Sequence, residues 1–346
     1  MRGRHVFRPV AMEGDSHMSH EPVGVVIVGT GLIARFHAQA VNASEKLKLV
    51  AVVHPVEGHG DAFAAEFGVP LFHDCDEALS RSDVGMVLVA SPSGAHDEAV
   101  LAAARHRKPV LVEKPLTISS ERADRLIAAC EETGTPLGGI FQSRFTDEFR
   151  KLKETVDSGS LGRITFVRVD VPWWRDDSYY AGSWHGTLDM DGGGALINQA
   201  IHMVDWLTAL MPPVADVKSF TATLAHQMEA EDTAAAVLRF EGGALGAIYA
   251  TTASYPGRPK RMEITGTKGT YVYEDSAHGV SRPDQLEFTA HQRCFEAFAD
   301  SLNGGEPYPI DGRESRVALD LITRIYAENV TSAKALERST GTRVAE

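Results

Sequence analysis

The chain has 346 residues, 43% hydrophobic and 23% charged, enough for about two domains of ~150 residues each. Its formal net charge of −13 argues against nucleic acid as a partner, because phosphate backbones bind basic faces. No apolar run is long enough to span a bilayer, so no membrane partner is expected. Three scattered cysteines, Cys75, Cys130 and Cys294, suggest neither a disulfide framework nor a zinc cluster, and a reducing cytoplasm is the expected location.

Residues 1–21 contain Arg2, Arg4 and Arg8 but no continuous apolar stretch, and are read as a disordered extension, not a secretory signal. From Val23 the texture changes. Val23 to Val28 is a short apolar run ending in glycine, read as a strand buried on both faces. A helix follows with Phe36, Ala40 and Val41 at helical spacing, then a strand over Leu47 to Val53 and a short helix from Asp61 to Phe67. Further strands are expected at Val84–Val89, Pro109–Val112 and Leu137–Phe141. Between them lie an alanine-rich helix to about His106 and a helix capped by Ser119 or Ser120 and stopped at Gly134. Strands alternating with helices predict a doubly wound parallel α/β sheet over residues 22–142.

Beyond Gln142 the strands follow one another. They are expected at Arg163–Val169, Val214–Leu224, Thr233–Phe240, Leu245–Thr252, Arg261–Thr265 and Thr270–Tyr273, with Gly266–Gly269 as a hairpin turn. Two helices near Gln292–Leu302 and Arg313–Ala333 close the chain. Residues 143–346 therefore read as an α+β domain with a largely antiparallel open sheet.

Gly29-x-Gly31-x-x-Ala34 sits between the first strand and the first helix. The first glycine permits the tight turn, the second lets the backbone approach a pyrophosphate, and the small third residue lets helix and strand pack closely. The phosphates would rest on the helix N-terminus, near Leu32 and Ile33. The bland alternative is a glycine-rich turn for another phosphate ligand. An acid that would hold the ribose hydroxyls of NAD is missing from the end of the second strand, where His54 stands; no Arg or Lys follows closely to favour the phosphate of NADP. Glu57 is the nearest substitute. The cofactor reads as NAD or NADP, with NAD slightly favoured.

Glu113-Lys114-Pro115 ends a buried strand, at the edge where such sheets bind ligands. Lys114 there can hydrogen-bond a substrate hydroxyl near a nicotinamide, or be an ordinary ion-paired surface lysine. The densest polar constellation is Trp173 to Trp206, with Arg175, Tyr179, Tyr180 and His185 ahead of a triple glycine. A helix from Ala195 would put Asn198, His202 and Asp205 on one face at i, i+4 and i+7. His202 suits a general base, or is a satisfied core histidine. Trp173, Arg175, Tyr179 and Tyr180 suit a sugar site, or form an apolar patch at a subunit contact. His185, His202, Asp189 and Asp191 match no zinc spacing, and no metal is expected.

Taken together these pieces resemble the glucose–fructose oxidoreductase / inositol dehydrogenase / MocA family (Gfo/Idh/MocA). The likeness runs from about Val23 to Ala333 and rests on Gly29-x-Gly31-x-x-Ala34, Ser91-Pro92-Ser93-Gly94-Ala95-His96, Glu113-Lys114-Pro115-Leu116, Gln142-Ser143-Arg144-Phe145 and the glycine-rich helix ending at His202. The resemblance implies a Rossmann domain plus a second domain whose open sheet mediates homodimers or homotetramers. It implies reversible oxidation of a ring hydroxyl on a sugar, nucleotide sugar or cyclitol, with Lys114 and His202 as the catalytic pair. It adds Ser91, Pro92, His96, Glu113 and Gln142 to the cofactor site and Arg144 to the substrate site. Asn198 stands where many members carry Asp, and an Asn-Gln pair is similar to members acting on nucleotide sugars, including UDP-N-acetylglucosaminuronate 3-dehydrogenases. Two rivals share the same residues: an NAD-dependent glycosidase or lyase that returns its hydride, and a catalytically silent dinucleotide sensor.

Overall fold

The computed structural model describes residues 21–275 and 288–340, except the side chains of 330–340. The extension expected to be disordered, residues 1–21, lies outside the described residues apart from Glu21. β1 (Val23–Val28) is buried beyond its first residue and leads through the glycine turn into α1 (Leu32–Asn42). The alternation continues with β2 (Leu47–Val53), α2 (Asp61–Phe67), β3 (Leu71–Phe72), α3 (Cys75–Leu79), β4 (Met86–Val89), α4 (His96–Arg105), β5 (Val110–Glu113), α5 (Ser120–Thr133) and β6 (Leu137–Ile140). The strands lie in the order β3-β2-β1-β4-β5-β6, all neighbours parallel. The order reverses between β1 and β4, which opens a crevice at their carboxyl ends. β3 and α3 are too short for a periodic signal. Ser119 caps α5, accepting from the Arg122 amide, and Gly134 ends it in the left-handed region.

The second unit contains α6 (Asp147–Asp157), β7 (Ile164–Pro172), α7 (Ile201–Leu210), β8 (Val214–Ala222), β9 (Thr233–Phe240), β10 (Leu245–Thr251), β11 (Arg261–Gly266), β12 (Thr270–Glu274), α8 (Thr289–Leu302) and α9 (Gly312–Thr340). Its sheet runs β12-β11-β7-β10-β9-β8. Every adjacent pair is antiparallel except β7 and β10. The inner face packs on α7 and α9. Alternation sends Phe220, Val237, Leu245 and Val272 to the exposed outer face.

Two segments of the second unit reach back to the parallel sheet. α8, which chain order puts in the 143–346 unit, packs on α1, and its Cys294, Phe295 and Phe298 share a core with Val25, Ile27, Ala34 and Ala38. The segment before α9 reaches β6 as well, where the Gly139 amide donates to the Ile310 carbonyl at 2.9 Å.

Candidate active site

A cleft of about 1070 Å³ runs from the glycine turn across the carboxyl end of the parallel sheet to the start of α7. Gly29 has φ +111°, and a Cβ on it would sit 2.6 Å from the Ala90 carbonyl, so only glycine fits. Gly31 caps α1 with no side-chain partner for the first amides, and a Cβ there would meet no protein atom within 4 Å. Leu32 and Ile33 line the cleft at a helix start with no capping side chain, the arrangement an anion site requires. Along the wall, the Ser91 Oγ and Gln142 Oε1 are buried without hydrogen-bond partners in the protein. An open helix terminus and orphaned polar atoms in one long groove fit a dinucleotide.

Pro92 lines the cleft, and so does His96, whose two ring nitrogens lie 2.9 Å from the Ser91 carbonyl and 3.1 Å from that of Pro115. His96 therefore shapes the wall by tying two strand-end loops together. At the far end His54 stacks on His59, with ring centroids 5.2 Å apart, and accepts from the Val56 amide. Glu57 is exposed and is not part of the cleft wall. The acids nearby are already engaged: Asp74 caps α3, and Asp76 binds Arg105 and His106.

Lys114 leaves the end of β5, and its ammonium donates to the Asn198 carbonyl at 2.9 Å. Burial pushes its pKa down, opposed by the Glu113 and Asp191 carboxylates. His202 lies across the cleft with Nδ1 3.5 Å from the Ser143 Oγ, a hydroxyl that also accepts from the Trp206 indole at 3.0 Å. Burial and then the Lys114 charge hold His202 well below the ordinary imidazole range, so the ring is neutral and one of its nitrogens is a hydrogen-bond acceptor. Asn198 donates through Nδ2 to both oxygens of Asp191 at 2.8 Å, and burial pushes Asp191 up to about 6.

The residues from Ala195 do not start as an α-helix. Ala195–Ala200 form a π-helical turn, and α7 begins at Ile201. Glu231 anchors that turn, accepting from the amides of Gly194 and Leu196 and from the Tyr326 hydroxyl. Gly194 is obligatory, because a Cβ there would collide with the Glu231 backbone carbonyl. Asn198 and His202 line the cleft, but Asp205 does not. It lies seven residues, about 10 Å of helix rise, beyond Asn198, where it is fully buried and grips Arg144 through two bonds of 2.8 and 2.6 Å. Arg144 spends its remaining nitrogen on Glu314 at 2.8 Å. The expected substrate contact by Arg144 is replaced by this internal ion-pair network.

Arg175, Tyr179, Trp184 and His185 line the cleft. Arg175 stacks on Trp173 and Tyr179, with its guanidinium carbon 5.2 and 5.3 Å from their ring centroids, and donates to Gln199 Oε1 at 2.8 Å. Its Nε is buried without a partner in the protein. His185 lies against Trp184 and Tyr179, and burial pushes it down to about 4. Trp173 and Tyr180 are not in the cleft wall: Trp173 packs on the core, and Tyr180 is buried with its hydroxyl on Thr252 at 2.8 Å. Ser143 and Gln199 enter the sequence reading only as parts of family motifs, with no contact assigned to either, and Asp191 only among residues that match no zinc spacing. Their partners are distant in the chain or cross the π turn.

Residues 23–139 match the family described as an oxidoreductase family with an NAD-binding Rossmann fold, and residues 149–272 match the GFO/IDH/MocA C-terminal domain. The chain belongs to the Gfo/Idh/MocA oxidoreductase family. A solved relative is the WlbA dehydrogenase from Bordetella pertussis in complex with NADH and UDP-GlcNAcA, 32% identical, TM-score 0.82, covering 89% of this chain and 96% of that one. The myo-inositol 2-dehydrogenase of Thermotoga maritima is 28% identical over 316 residues, 85% of this chain and 92% of the relative. The family places this chain among NAD(P)-dependent enzymes that oxidise CH–OH donors. Among the described residues no helix is long and apolar enough to cross a membrane.

Proposed function

We propose that this oxidoreductase acts on a ring hydroxyl of a sugar, nucleotide sugar or cyclitol carrying a carboxylate. The observation that carries the reading is the convergence of Lys114, Asn198, His202 and Arg175 on one end of a cleft whose other end is the glycine turn. Neutral His202 accepts the hydroxyl proton, Lys114 hydrogen-bonds the same oxygen, and Ser143 orients the imidazole. Nicotinamide, when bound, supplies the hydride acceptor. The unpartnered Arg175 Nε, on a guanidinium pinned by Gln199 and two aromatic rings, favours an anionic group on the substrate. The relative bound to UDP-GlcNAcA is consistent with that class.

NAD is the preferred dinucleotide in this reading. Arg105, the guanidinium lining the His54 end, is bound by Asp76, so it is not free for a ribose phosphate. A panel of neutral sugars, uronates, cyclitols and nucleotide sugars offered with NAD and with NADP tests both points. Arg175→Met is expected to raise KM for carboxylated substrates by about 10–100-fold, the worth of a charge-assisted bond, and to leave neutral ones nearly unchanged. Oxidation of acyclic alcohols alone would sink the ring-hydroxyl reading.

The reading includes a homodimer or homotetramer joined through the outer face of the second sheet. Phe220 is 74% and Val237 57% exposed there, on adjacent strands that no described element of the chain covers. Light scattering on the purified chain should give a multiple of the 37.4 kDa mass. Val237→Lys should shift it toward one copy; a monomeric wild type refutes the assembly.

A further inference from the structure

Behind the catalytic end of the cleft lies a buried cluster from three separate elements. His37 of α1, Glu113 of β5 and His291 of α8 are 0%, 6% and 7% exposed. The His37 Nε2 lies 2.8 Å from Glu113 Oε1, and because a carboxylate only accepts, the ring donates there. Glu113 Oε2 accepts the Lys114 amide at 3.1 Å, and His291 Nε2 stands 3.9 Å from Oε1. Glu113 also lines the cleft beside Lys114, Gln142, Asn198 and His202.

An ionised carboxylate in this setting is costly unless it is paired and hydrogen-bonded. Burial alone would raise the Glu113 pKa, but the His37 hydrogen bond and the neighbouring His37, His291 and Lys114 charges hold it at about 2. Burial pushes His291 down to about 4, so that ring adds no charge near neutral pH. Lys114 does not cap the carboxylate with its ammonium, which is turned to the Asn198 carbonyl. The fold therefore keeps an ionised carboxylate in the cleft wall beside Lys114, held by the His37 ring and the Lys114 amide. A nicotinamide ring is cationic when oxidised and neutral when reduced, so a fixed carboxylate in a low-dielectric wall acts on the two forms differently.

We propose that Glu113 is a charge-setting residue of the cofactor site, fixed by His37 so that its carboxylate favours the oxidised, cationic nicotinamide over the reduced one. The inference rests on the oxidoreductase reading and adds a redox preference to it. Tryptophan fluorescence of the full chain, with Trp184 in the cleft wall, reads equilibrium binding of NAD+ and of NADH without turnover. Glu113→Gln is expected to weaken NAD+ by about tenfold and to leave NADH within about twofold. Equal weakening of both, or no change in either, overturns the proposal. Failure of the wild type to bind either dinucleotide overturns the oxidoreductase reading instead. If Glu113→Gln does not fold, His37→Leu supplies the test, with the NAD+/NADH ratio expected to move in the same direction and His37→Gln to restore it. A wild-type ratio in His37→Leu refutes the role.

Discussion

Replacing Lys114 with Met is expected to lower kcat by about 10²–10⁴-fold, the range for removing a group that assists proton transfer, with little change in dinucleotide affinity. The side chain keeps its length and loses the ammonium, so the contact removed is the one the substrate oxygen would share with the Asn198 carbonyl. His202→Asn is expected to fall by a similar factor, because the amide cannot accept the hydroxyl proton. Combining the two should cost little more than either alone if they serve one transfer. The measurement is substrate-dependent formation of reduced nicotinamide, followed by its absorbance, beside fluorescence titration of the cofactor. Wild-type rates in both variants would remove the pair from the chemistry. Product release with no net NADH from the wild type would favour the redox-neutral glycosidase or lyase over a dehydrogenase.

The second large effect is on stability. Arg144 holds both Asp205 oxygens and Glu314 while almost wholly buried. Arg144→Met leaves the Asp205 carboxylate inside the protein without its cation, a loss of about 3–5 kcal/mol and roughly 10 °C in Tm for a chain of this size. Replacing the deeply buried pair, Arg144→Met with Asp205→Leu, should recover most of that loss, because the fully buried charge is then gone and Glu314, the other partner of Arg144, stays partly exposed to water. Thermal unfolding followed by circular dichroism measures both, with KM taken on the folded fraction. If Arg144 touched substrate, KM would instead rise by at least about tenfold with Tm unchanged, and the ion-pair assignment would fail.

The same pair marks the limit of what the sequence discloses. The glycine turn is legible because its signal is local: a buried run, two glycines and the start of a helix within a dozen residues. Lys114 is legible because it sits at the end of a buried strand. Asn198 and His202 line one cleft, as their spacing implies, although the π turn between them has no periodic signature. Asp205 and Arg144 are 61 positions apart, and nothing in either segment says that one will claim the other. The aromatic run divides for a related reason. Arg175, Tyr179 and His185 reach the cleft, whereas Trp173 and Tyr180 are drawn into packing decided by strands still to come in the chain. His37 reads from sequence as one more residue of α1, because its partners arrive from β5 and α8.

The return of α8 to α1 has a consequence for how the molecule is made. A ribosome releases residues 23–140 long before residues 289–302, yet Phe295 and Phe298 belong to the core that α1 and β1 begin. Until residues 289–302 are released, the nascent Rossmann segment lacks the cover that α8 gives to this core. The core that β1 and α1 begin is completed by a helix that follows the whole second sheet in the chain.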